Sequence, residues 1–353
     1  MWQPILTPLQ VIFIFLAVGI SFVPTGVFLS SLNNQIYEDT IVYDGGNNGP
    51  SSACEIVSAN QGRTCEVSFT LTSAVSGDLY VYYELTNFYQ NHRLYVKSYN
   101  NLQLMGEEVL ESELEKSCTT KTYSDNGELL SPCGLIANSF FNDNFEFDFE
   151  DSLHSDNMDE TNIAWPSDYD KFKQPEGFQS VQAPGAQTCA AVGLPDGCTG
   201  GVPQGMTQNW YWYYPQPEYS GQKTTKYLWE SYTGAGGINP LHGVTDEHFM
   251  VWFRTAARPN FRKLYGRIPG PFKEGQVLHF AITGNFEVAS FGGTKGIVIS
   301  TLSEMGGTNP YLGTAFLVVG ILAFLLTLLF VFKQVFSERR KMNGDLSLLR
   351  WND

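Results

Sequence analysis

The side chains best suited to acid–base or metal chemistry in this chain are its five histidines, His92, His154, His242, His248 and His279. His242 and His248 flank the run GVTDE, a spacing that a metal would tolerate. No third ligand accompanies them, so a structural role is the expected one. Neither the HExxH of zinc hydrolases nor the GxSxG of the nucleophile elbow occurs. GGTKG (292–296) has a passing likeness to a phosphate loop, but it lacks the GxxxxGK[ST] spacing and lies between strand-like segments. A tight turn accounts for it better. Carboxylates abound in a chain with 36 acidic and 21 basic residues, so pairs of them say little. The expectation is a protein without catalysis, cofactor or metal.

A different kind of chemistry is concentrated in YYELTNFYQNHR (82–93). Tyr and Arg are the usual anchors of protein interfaces, and Asn and His add adaptable polar contacts. Phe88, Tyr89, Asn91, His92 and Arg93 are therefore the candidate partner-contact residues, touching the partner or holding that surface's shape from beneath. The alternative is a strand end whose aromatics fill the core while Asn87 and Asn91 bond to turns.

What must position such a surface is set by the two ends of the chain. Residues 9–32 and 312–332 contain no charged residue, and each is long enough to cross about 30 Å of hydrocarbon as a helix. A signal peptide would need a basic start and a shorter apolar core. Here the first run is too long, and no Lys or Arg precedes Arg63. Lys333, Arg339, Arg340 and Lys341 follow the second run, the signature of a cytosolic tail. The expected order is a short cytosolic N-terminus (1–8), a span (9–32), a lumenal or extracellular domain (33–311), a span (312–332) and a cytosolic tail (333–353). The tail holds five of the basic and three of the acidic residues, so 33–311 carries 16 bases against 33 acids, a net −17. Such a charge disfavours nucleic acid and anionic headgroups as partners. Within the spans Gly19, Gly26, Gly313 and Gly320 permit close helix approach and hint at packing against other helices.

All six cysteines, Cys54, Cys65, Cys118, Cys133, Cys189 and Cys198, lie between the spans. An even count in an oxidising compartment reads as disulfides, and no CxxC suggests zinc instead. Six cysteines allow about 15 connectivities. Their grouping into three close sequential pairs makes local pairing the simplest of these.

Strand signals dominate the intervening domain: EVSFTLT (66–72), LYVYYEL (79–85), VLHFAITGNFEV (277–288), GIVIST (296–301) and FEFDFE (145–150). In the last, Phe145, Phe147 and Phe149 share one face and acids the other. Helical signals are few. DEHFMVWFRTAA (246–257) has an apolar stripe behind an acidic first turn, and EEVLESELEK (107–116) suits a short acidic helix. Residues 174–245 turn to Gly, Pro, Gln and aromatics, an irregular excursion that Cys189 and Cys198 would tie down. The fold class expected is two transmembrane helices flanking a large, mainly antiparallel, β-sandwich-like ectodomain braced by disulfides.

Several stretches, taken together and in order, resemble one family. They are WQPILTP (2–8), TNFYQNHRLYVKSYN (86–100), SPCGLIANSFFND (131–143), HFMVWFRTAARPNFRKLYGRI (248–268) and SFGGTK (290–295). The combination is similar to the cell division control protein 50, or ligand-effect modulator, family. The resemblance implies a non-catalytic β-subunit that forms a heterodimer with the catalytic subunit of a type IV P-type ATPase, a phospholipid flippase. It implies cytosolic termini and a lumenal or extracellular β ectodomain capping the ATPase's loops, with spans packed in the lipid against its outer helices. The host membrane would be that of the endoplasmic reticulum, Golgi, endosome or cell surface. It also implies Cys54–Cys65 and Cys118–Cys133 braces. No N-x-[ST] sequon occurs, although members often carry one where this chain reads Asn142-Asp143-Asn144. Two rival classes share the two-span layout. A trimeric ligand-gated channel would need pore-lining polar residues beyond Thr314 and Thr327. A membrane-tethered receptor or adhesion module would need no ATPase.

Overall fold

A computed structural model describes residues 7–45, 54–148, 158–217, 224–303 and 306–336. Most of the expected cytosolic ends, the WQPIL of the WQPILTP stretch, His154 and Phe149 lie outside these. The first helix, α1 (Pro8–Asn33), is followed by strands β1 (Glu38–Asp44), β2 (Arg63–Thr70) and β3 (Leu79–Leu85). Three short helices come next, α2 (Arg93–Lys97), α3 (Asn101–Leu104) and α4 (Glu111–Cys118), then β4 (Leu129–Ser131) and β5 (Asn144–Asp148). The Gly/Pro-rich excursion contains β6 (Gln179–Gln182), β7 (Thr199–Gly201), β8 (Trp210–Tyr213), β9 (Thr225–Tyr227) and α5 (Leu228–Ser231). The order ends with α6 (Glu247–Phe253), β10 (Phe261–Ile268), β11 (Val277–Gly284), β12 (Lys295–Ser300) and α7 (Pro310–Phe336).

The chain divides into two compact units, a helical pair and the β domain of residues 37–301. In the helical unit, α1 and α7 have 26 and 27 residues and are long and apolar enough to span a membrane. Thr7 caps α1: its hydroxyl accepts from the Gln10 N–H while Gln10 Oε1 accepts from the Thr7 N–H at 2.8 Å, with Pro8 preset for the first turn. The expected glycines find their partners within this chain. A side-chain carbon on Gly19 would meet the Phe324 ring at 3.0 Å, on Gly26 the Leu317 backbone N at 2.8 Å, and on Gly320 the Val23 backbone N at 3.0 Å. These contacts run antiparallel in one continuous seam, on which Gly19, Gly26, Gly313, Gly320, Ala323 and Thr327 are buried. The Thr327 hydroxyl is spent on the Ala323 carbonyl, 2.9 Å away.

In the β domain, the order β1-β12-β3-β10 makes one antiparallel sheet and β2-β11-β5 a second. Alternation in the sequence sets which side faces in. Val81, Tyr83 and Leu85 of β3, Val67 and Phe69 of β2, and Leu278, Phe280 and Ile282 of β11 all belong to a single core. β12 is buried along its whole length, which suits its unbroken apolar run at the centre of its sheet. On β5, Phe145 and Phe147 turn inward while Glu146 and Asp148 are exposed. The excursion folds around its own three-stranded sheet, β6-β8-β7, a small aliphatic cluster about Tyr211 and an aromatic cluster of Trp212, Tyr214 and Tyr227. Cys54–Cys65, Cys118–Cys133 and Cys189–Cys198 are disulfide-bonded, with 11, 15 and 9 residues of sequence separation.

Replacing Gly26 with Leu overpacks the helical seam at a cost of about 1–3 kcal/mol. Since no cysteine is free, a Phe22→Cys/Phe316→Cys pair, whose rings sit 5.0 Å apart, reports on it directly. Crosslinking should be efficient in the parent chain and fall when Gly26→Leu is added.

Candidate partner-binding surface

The segment after β3 divides its residues between two tasks. Phe88 is half-buried, and its ring meets those of Tyr95 (5.9 Å), Trp252 (5.6 Å), Phe261 (6.4 Å), Phe286 (5.8 Å) and Phe291 (5.4 Å). It is the hub of an aromatic cage. Gln90 is fully buried and its side-chain oxygen accepts from the Ala256 N–H at 2.8 Å. Asn91 donates to the Ala257 carbonyl at 3.0 Å, and Asn87 to the Phe291 carbonyl at 2.5 Å. Tyr89 is 56% exposed, and His92 and Arg93 also face solvent at the start of α2. Of the five candidates, then, Phe88 holds the segment from beneath and Asn91, itself exposed, ties it to Ala257, whereas Tyr89, His92 and Arg93 stand at the surface without such a bond to the fold.

Four of the stretches quoted for the family resemblance, 86–100, 131–143, 248–268 and 290–295, contribute to this cage or bond to it. Trp252 of α6 is fully buried and donates its indole N–H to the Ile136 carbonyl at 2.8 Å. Gly134 adopts φ +102°, and a side chain there would run into the Ser98 carbonyl. Asp246 caps α6 by accepting from the Phe249 N–H at 3.2 Å. At the other end, the Lys263 ammonium takes the carbonyls of Val251, Trp252 and Arg254 at 2.9, 2.6 and 2.5 Å. These are the orphan acceptors of the last turn, where the helix dipole favours a cation.

A buried ionic cluster lies behind the cage, with little sign of it in the sequence. Lys295 has no exposed surface, and its ammonium sits 2.8 Å from Asp143 and 3.0 Å from Asp44, both also buried. It further donates to the Phe286 carbonyl at 2.6 Å. The Tyr43 hydroxyl donates to Asp143 at 2.7 Å, and the N–H groups of Asn285 and Phe286 donate to its other oxygen at 2.6 Å. Burial first, and then the charge of Asp143, push the Tyr43 phenol well above its ordinary range. The lysine of the expected GGTKG turn is thus the cation that two acids need; a lysine heading an apolar strand was the available signal. Asn142, beside it, is buried and donates to Asn60 at 2.7 Å.

The two histidines around GVTDE line one cavity of about 490 Å³ but are not joined in a ligand set. Among the described residues, no group of three or more His, Cys, Asp or Glu side chains is arranged to hold a metal. His248 lies 2.9 Å from Glu160 and rests 4.5 Å from the Tyr265 ring. Burial opposes its charge, but the Glu160 bond and the carboxylates of Asp246, Glu160 and Glu247 outweigh it and raise the imidazole above its ordinary value.

The sequence pattern of the LEM3 (ligand-effect modulator 3) family / CDC50 family matches residues 29–340. The chain belongs to that family. Cell cycle control protein 50A of Mus musculus is 35% identical over 340 residues, covering 92% of this chain and 83% of the relative. ALA-interacting subunit 3 of Arabidopsis thaliana is 33% identical over 362 residues, covering 99% and 86%. Cell cycle control protein 50B of Homo sapiens is 34% identical over 340 residues, covering 92% and 87%. As a LEM3/CDC50 member, the chain is a membrane protein with a disulfide-braced domain suited to an oxidising compartment.

Two outcomes follow. Lys295→Met strands two buried carboxylates without a cation and costs about 3–5 kcal/mol, read as the loss of thermal stability of the chain in detergent. For His248, a folded-state pKa above the unfolded value of about 6.5 means that the fold holds the proton more tightly. Its contribution is complete below that pH and is lost as pH rises through the folded value. The stability gap between the parent and His248→Phe should therefore be wider at about pH 6 than at about pH 8.

Proposed function

We propose that this chain is the non-catalytic β-subunit of a phospholipid flippase, partnered with a type IV P-type ATPase. The observation that carries the reading is the family match over residues 29–340, which takes in the β domain and the second span, together with relatives named as ALA-interacting subunits. Family membership does not favour the trimeric channel or the tethered receptor.

On this reading the spans (9–32 and 312–332) leave both termini in the cytosol and residues 33–311 on the lumenal or extracellular side. The host membrane is that of the endoplasmic reticulum, Golgi, endosome or cell surface. The subunit does no chemistry of its own. Its ectodomain grips the ATPase's loops, helping it to fold, to leave the endoplasmic reticulum and to run its transport cycle. It biases that cycle only to the extent that it binds some of the ATPase's conformations better than others. The net −17 of the domain keeps this large surface soluble until the partner arrives. Tyr89, His92 and Arg93 are the part of the 82–93 segment that supports a contact role, since they are exposed while Phe88 and Gln90 pin the backbone below them.

Co-expression of the full chain with the ATPase, followed by mild-detergent purification, tests this. Tyr89→Ala and Arg93→Ala should reduce co-purified ATPase while the subunit alone keeps its stability within about 0.5 kcal/mol. Phe88→Ala should instead cost the subunit about 3–5 kcal/mol of its own stability. Full ATPase export and activity in cells lacking the chain would overturn the assignment.

A further inference from the structure

Beside the 82–93 segment lies a groove that the reading so far leaves unused. α2, α3 and the end of α6 enclose a cavity of about 460 Å³, with Leu104, Ile136, Phe172 and Met250 as its buried floor. Val96 and Met105 on its walls stay 37% and 39% exposed. Apolar side chains held open at a cavity mouth, ringed by polar groups, mark a place where another surface docks.

The charge around the groove is opposite to that of the domain. Residues 86–106 and 248–263, which supply most of its lining, contain no Asp or Glu, although acids outnumber bases 33 to 16 between the spans. Of their bases, Arg254 lies on the lining and Arg93, Lys97 and Arg258 are exposed, whereas Arg262 is paired with Glu38 and Glu84 and Lys263 is buried at the end of α6. The one acid on the lining, Asp168, is shared between Arg254 and Lys171, the latter 2.8 Å away. The lip is left with an excess positive charge. The Arg254 guanidinium also lies 4.9 Å over the ring of Trp165, an exposed aromatic platform.

We infer that this groove seats a short segment of the ATPase subunit bearing one or two large apolar side chains flanked by Asp or Glu. The inference rests on the β-subunit reading. A peptide suits the site better than anionic headgroups because the floor is apolar and recessed. The apolar floor supplies the affinity and the cationic lip selects the sign of the partner, with a salt dependence that a purely apolar contact would lack.

The test uses the full chain co-expressed with the P-type ATPase identified by mass among the proteins that co-purify with the parent. Val96→Asp and Met105→Asp place like charge against the acidic segment at partly open positions. Lys171→Gln, at a side chain that is 62% exposed, removes a lip cation while Arg254 still neutralises Asp168. Each variant should retain about tenfold less ATPase at an unchanged melting temperature, and the parent complex should weaken as salt rises to about 0.5 M. Parent-level retention by all three variants would overturn the groove assignment. So would binding of the parent to phosphatidylserine vesicles that Val96→Asp abolishes while ATPase retention is unchanged. If the parent retains no ATPase at all, the β-subunit reading fails and the groove assignment falls with it.

Discussion

The constraint on which the domain most depends is the neutralisation of Asp143 and Asp44 by Lys295 inside the core. A lone buried ion is very costly, and here two acids face one cation. The deficit is met by the Tyr43 hydroxyl and two backbone N–H groups. The participants come from β1, the turn before β5, the loop after β11 and the start of β12, so one cluster ties together both sheets of the sandwich. It also fixes Phe286, which is one wall of the cage around Phe88. The exposed edge at Tyr89 and Arg93 thus inherits its position from an ion cluster several residues beneath it.

Much of this architecture was legible in the sequence because it follows from local rules. The LYVYYEL alternation is β3, and the acidic start of DEHFMVWF is the cap of α6. Helix α6 stops at Phe253, short of the periodic pattern, because Arg254 leaves the helical region and Lys263 closes the last turn. The predicted acidic helix begins later than its charges suggest, at Glu111. What escaped the sequence was what depends on pairing across long separations. Nothing local says that Lys295 meets Asp143, that Phe88 turns inward while Tyr89 turns out, or that the helix glycines serve each other. The excursion's strands were hidden as well, because β6 and β7 are short and their partner β8 reads as an aromatic run.

The division of labour in the 86–106 and 248–263 segments has a physical logic. Their aromatic and amide groups are consumed in rigidity, through the Phe88 cage, the Trp252 bond to Ile136 and the Lys263 cap. Their cations and remaining aliphatic groups are left at the surface. A rigid face loses little entropy when it is bound, which fits the proposed role as a partner subunit.

The position of β12 in its sheet bears on how the molecule is made. The strand is last in the chain, yet it lies between β1 and β3 and delivers the only ammonium of the ionic cluster. Each cysteine pair is close enough in sequence to oxidise as soon as it emerges during synthesis. The sandwich, in contrast, stays open until residue 300 has been made, a few residues before α7 begins. Completion of the fold is thereby timed to the arrival of the second anchor, and a ribosome that stalls earlier releases a chain with an unfilled central slot that quality control can recognise.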